Sequence, residues 1–129
     1  MTYTKEEKNQ YFQELRSKWL KAKELCKTEE AKAVYQSAQL SGVNVSMTGF
    51  YFTLMQMEQL GLDGTPYIDT KTFNGWKLSG YKVKRGEHSK IDGITWIGTK
   101  DEDGLENRTN VYPKVYHLFH KTQIEPMVI

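Results

Sequence analysis

A chain of 129 residues with 38% hydrophobic, 12% aromatic and 26% charged side chains can fold as one domain without staples, and its single cysteine, Cys26, excludes an intramolecular disulfide framework. No apolar run reaches the length of a membrane span, and the opening Met1-Thr2-Tyr3-Thr4-Lys5-Glu6-Glu7 is too polar for a secretory leader, so a cytoplasmic protein away from membranes is expected. The net charge of +2 hides a segregation: residues 71–100 carry seven basic and two acidic side chains, whereas residues 41–70 carry three acidic and no basic ones. A positive block in a nearly neutral chain points to a local anionic partner.

In chain order, Thr4 and Glu7 fit a capping box, and Phe12, Leu15, Trp19, Ala22 and Cys26 recur at helical spacing behind it. Thr28-Glu29-Glu30 opens a second helix with a stripe of Ala31, Val34, Tyr35 and Ala38. After Ser41-Gly42-Val43-Asn44, a third helix runs from about Ser46 to Leu60, apolar around much of its circumference and therefore sandwiched, until Gly61 stops it. Tyr67-Ile68-Asp69 reads as a short strand, and Thr70 or Thr72 caps a short helix through Phe73, Trp76 and Leu78. Tyr81 to Lys84 and Ile91 to Ile97 alternate as half-buried strands. Gly98 to Asn110 is polar and reads as a long hairpin connection, before strand character returns from Val111 to Ile124 with an edge or bulge at Pro113. The class is α+β: N-terminal helices packed on a small antiparallel sheet. Residues 1–34 form a helical segment compact with a domain over 35–126.

Catalysis is not expected. The chain has no His-Glu-x-x-His, no P-loop, no nucleotide fingerprint and no nucleophile elbow. His117 and His120 are three apart, which on a strand places them on opposite faces, so no metal and no cofactor are expected. Cys26 belongs to an apolar stripe rather than to a nucleophilic pair.

The informative stretch is 71–90, with six basic residues and one acidic one, interleaved with Phe73, Trp76 and Tyr81. Single-stranded nucleic acid is held by such a mixture, cations tracking phosphates and aromatic faces stacking on unpaired bases. The expected contacts are Lys71, Lys77, Lys82, Lys84, Arg85, His88 and Lys90 for the backbone and Trp76 and Tyr81 for the bases, with Tyr51 or Trp96 as further rings and Asn44 at a base edge. For each of these a bland reading stands beside the functional one. Phe73 and Trp76 also fit core anchors, Asn44 a turn residue, and Gly86-Glu87 a tight turn closed by a carboxylate–backbone bond.

Gly42-x-Asn44 before an apolar helix, then Trp76-Lys77-Leu78-x-Gly80-x-x-Val83-Lys84-Arg85-Gly86-Glu87, and a closing Val115-Tyr116-His117-Leu118-Phe119-His120 with Gln123-x-Glu125 together resemble the N-terminal domain of ArdC-type antirestriction proteins. The resemblance covers about residues 35–126. It implies a module for single-stranded DNA carried by a plasmid or phage and serving evasion of host defence. The metalloprotease domain that often follows in that family has no counterpart among these residues, and protease activity is not carried over. A different expectation is a protein-interaction inhibitor of a host nuclease or defence enzyme, using the acidic run Asp101-Glu102-Asp103-Gly104-Leu105-Glu106. A third is an orphan part of a metalloprotease-type protein.

Overall fold

The computed structural model describes residues 4–100 and 106–128, with backbone alone at Lys8, 97–100 and 106–112. Three helices come first: α1 (Lys5–Leu25), α2 (Glu29–Leu40) and α3 (Met47–Gln59). Each starts at a hydroxyl that accepts an otherwise orphaned backbone N–H, Thr4 from Glu7, Thr28 from Ala31 and Ser46 from Gly49. The Thr4 bond is one half of the expected Thr4–Glu7 capping box, and the start at Thr28 was expected as well. α3 ends in a paired closure, with Gly61 N–H on the Glu58 carbonyl and Leu62 N–H on the Met57 carbonyl at 3.1 and 2.9 Å.

The core is built around α3. Phe50, Tyr51, Phe52 and Met57 are buried, as the apolar circumference implied. Leu15 and Ala22 of α1 and Ala31 and Ala38 of α2 close on it from the other helices, and Trp19 packs against Phe52 with ring centroids 5.6 Å apart. Phe12 and Val34, expected on the buried stripes, lie at their exposed margins.

The remainder is β1 (Thr70–Lys71), α4 (Phe73–Leu78), β2 (Tyr81–Val83), β3 (Ile91–Lys100), β4 (Glu106–His120), a 3-10 turn over Lys121–Gln123, and β5 (Ile124–Pro126). The larger sheet has the order β1-β4-β3 and the smaller pairs β2 with β5, all antiparallel. The α+β class holds.

Two expectations fail here. Tyr67-Ile68-Asp69 is a turn, not a strand: Ile68 and Asp69 N–H both bond the Thr65 carbonyl, the Asp69 carboxylate accepts from Thr65 N–H, and Tyr67 takes a φ of 66°. That left-handed conformation is costly for a side chain with a Cβ, and the Thr70 hydroxyl holds it by accepting from Tyr67 N–H at 2.9 Å. The expected connection over Gly98–Asn110 is mostly strand, because backbone pairing continues past Gly98↔Val111 to Lys100↔Glu106 after a register shift between Gly98 and Thr99. Polar composition hid this ladder. Pro113 is accommodated because β1 reaches only Phe119 and His120, leaving the outer side of β4 an edge at that position.

Candidate nucleic-acid interface

The pairing of β1 with the end of β4 (Thr70↔His120, Lys71↔Phe119) delivers residues 72–74 to the side of β4. The other end of the basic segment arrives by a separate route. Lys84 to Glu87 form a tight turn, Glu87 N–H bonding the Lys84 carbonyl at 3.1 Å, with Gly86 at a φ of 87° that favours glycine. Lys84 N–H bonds the Gln123 carbonyl at 2.8 Å, and the buried Gln123 amide donates to both the Glu87 carboxylate and the His88 carbonyl, at 3.1 and 2.7 Å. The turn is thus closed by the Gln123 side chain, not by the carboxylate–backbone bond expected of Glu87. Lys82 and Glu125 pair across β2 and β5 at 3.5 Å. Gly86-Glu87 and Gln123-x-Glu125 are therefore partners in one structural joint.

Between these two anchored ends lies a groove of about 590 Å³, lined by Thr72, Phe73 and Asn74, by Glu87, His88 and Ser89, and by Tyr116, His117 and Phe119 of β4. Phe73 is 54% exposed. Tyr116 is fixed from behind. Its hydroxyl shares a hydrogen bond of 2.6 Å with Tyr67, which also accepts from Thr53. Burial, then the Tyr67 hydroxyl, push the Tyr116 phenol far above the usual tyrosine range. Gly93, its cross-strand partner, leaves room for the ring, since a Cβ there would lie 2.2 Å from it. His117 Nδ1 meets the Asp92 carboxylate at 3.0 Å.

The expected site residues divide. His88 lines the groove. Lys77, Arg85 and Lys90 are exposed, with no ion pair among the described residues. Lys84 keeps its charge outward while its ammonium donates to the Thr122 carbonyl, Lys71 sits over the Trp76 ring at 5.2 Å, and Lys82 is engaged with Glu125. Trp76 is corrected: only 5% exposed, it donates its indole N–H to the Phe119 carbonyl at 2.8 Å and offers no face to a base. Tyr81, 38% exposed, stands edge-on to that ring. Tyr51 is buried with its hydroxyl on the Ala31 carbonyl, and so is withdrawn as a stacking ring. Trp96 packs with Trp19 and Arg16 in a different cavity, and Asn44 is exposed in the link between α2 and α3, outside the groove lining.

Sequence reasoning missed Asn74, Ser89, Tyr116, His117 and Phe119. The signal for His117 and Phe119 was available in the alternation that turns His117 outward while His120 is buried, its Nε2–H on the Asp63 carbonyl. The acidic run 101–105 lies outside the described residues. Among the described residues no group of three His, Cys, Asp or Glu side chains is placed to hold a metal ion, and no helix is long and apolar enough to cross a membrane. No protein-family model, curated protein or solved structure matches the chain.

Proposed function

We propose that this protein binds single-stranded DNA without catalysing a reaction on it, taking unpaired bases into the 72–74/87–89 groove while exposed cations meet the phosphates. One observation carries the reading: both ends of the basic segment converge on a single groove that the exposed Phe73 and residues of β4 also line. Phe73, half in solvent, offers the stacking face that Trp76 does not. Base–aromatic stacking contributes about 1–3 kcal/mol per base, and it requires bases that are not already stacked in a duplex. Lys77, Lys84, Arg85 and Lys90 supply the sequence-independent attraction. The resemblance noted in the sequence extends the proposal to a plasmid or phage protein that shields such DNA from host defence.

The test is an electrophoretic shift series with single-stranded DNA, duplex DNA and RNA at several salt concentrations. With about four phosphates neutralised, log K for the single strand falls against log salt with a slope of roughly −3. Affinity that ignores salt removes the basic segment from the interface.

A further inference from the structure

Resting on the groove reading above, we infer that the groove selects bases bearing an exocyclic amine, and that Glu87 is the residue that selects them. Glu87 lines the groove, and only one of its carboxylate oxygens is used: Oε2 accepts the Gln123 amide at 3.1 Å, while Oε1 has no hydrogen-bond partner among the described residues. The neighbouring Ser89 hydroxyl is already committed to the Ile91 and Leu118 carbonyls at 3.0 and 2.9 Å. His117 faces Asp92 through Nδ1. The groove therefore has among its lining residues both an anionic acceptor with spare capacity and the exposed Phe73.

Two consequences follow from charge and geometry. A phosphate is repelled from a groove containing a carboxylate, so the neutral base enters and the backbone stays outside on Lys77, Arg85 and Lys90. A base on Phe73 then presents its edge to Glu87. Cytosine, adenine and guanine carry an amine that donates to a carboxylate, as Glu and Asp accept from cytosine N4 in direct readout. Thymine and uracil place a carbonyl at the equivalent ring position, which sets two acceptors against each other. Orientation is fixed because Gln123 anchors Glu87 from behind, and Gln123 is itself held by its Oε1 accepting from the His120 N–H at 3.0 Å.

The experiment compares oligo-deoxycytidine with oligo-deoxyuridine of about twelve nucleotides, matched in ring size and charge, by fluorescence anisotropy. The intact protein is expected to bind the cytidine strand about tenfold tighter. Glu87→Gln keeps an oxygen for the Gln123 amide but adds a donor and loses the charge, and should bring the two strands to within about twofold. A strand of N4,N4-dimethylcytosine, which lacks the donors, should bind the unaltered protein like deoxyuridine, and this arm does not depend on how the variant folds. Equal, strong binding of the cytidine and uridine strands by the intact protein overturns the selectivity and leaves the groove reading standing. Binding of neither strand overturns the groove reading, and the selectivity with it.

Discussion

Phe73 and Trp76 lie three residues apart on α4, yet one ring faces solvent and the other is sealed beneath the Lys71 ammonium with its N–H on the Phe119 carbonyl. Their substitutions should part accordingly. Trp76→Phe leaves a backbone carbonyl short of a donor and is expected to cost about 1–3 kcal/mol of stability, read as a lowered urea midpoint. Phe73→Ala should leave the unfolding free energy within about 0.5 kcal/mol of the parent, as an exposed position does. Tyr116 supplies a third residue-scale test. Its phenol keeps its proton in the folded state at pH values where the unfolded chain has released it, so its contribution is complete below about pH 10 and is lost as pH rises beyond that. Urea melts between about pH 9 and pH 11 should show stability falling less steeply in Tyr116→Phe than in the parent. Parallel slopes would mean that this phenol is not the group responsible.

At the scale of elements, the joint between the 84–87 turn and the 3-10 turn is what presents the basic segment. Because the turn is held by backbone bonds and Gln123, and the one Lys84 side-chain bond, to the Thr122 carbonyl, is exposed, reversing both charges should spare the fold. Lys84→Glu with Arg85→Glu is expected to weaken single-strand binding at least about tenfold at low salt, with an unchanged far-ultraviolet circular dichroism spectrum. Undiminished binding by this double variant would place the phosphates elsewhere. Much of this element layer was legible beforehand. Thr4 and Thr28 announced two helix starts, and the choice of Thr70 or Thr72 bracketed a third that falls at Thr72, because a capping hydroxyl is a local device. Gly61 announced the stop of α3 for the same reason. What stayed hidden was non-local. Nothing near Trp76 in sequence reveals the Phe119 carbonyl, and nothing near Glu87 reveals Gln123. The turn at Tyr67 was misread because its left-handed backbone is held by Asp69 and Thr70 side chains rather than by glycine. The groove was half legible: the segment that brings residues 72–74 and 87–89 to it was visible as composition, but its β4 floor required a strand pairing.

For the molecule as a whole, α1 is part of the core and not an appendage. Leu15 and Ala22 are buried in the same cluster as Phe50 and Phe52, and Trp19 bridges toward Trp96 of β3. Exposing these contacts costs about 4–6 kcal/mol at usual burial energies, a large part of a domain's typical total of about 5–15. A fragment spanning residues 35–126 is therefore expected to lack a cooperative melt, and a sharp transition in that fragment would show the N-terminal helix to be dispensable. The proposed DNA binding, by contrast, rests on one exposed ring, Phe73, and on exposed cations of the same segment. The most direct measurement is an anisotropy titration of one labelled single strand and its duplex, carried out with the parent protein and with Phe73→Ala. Tighter binding of the single strand by the parent is expected, together with a loss of about 1–3 kcal/mol on that strand alone in the variant. Equal affinity of parent and variant for the single strand, or a parent that prefers the duplex, would contradict base stacking in this groove.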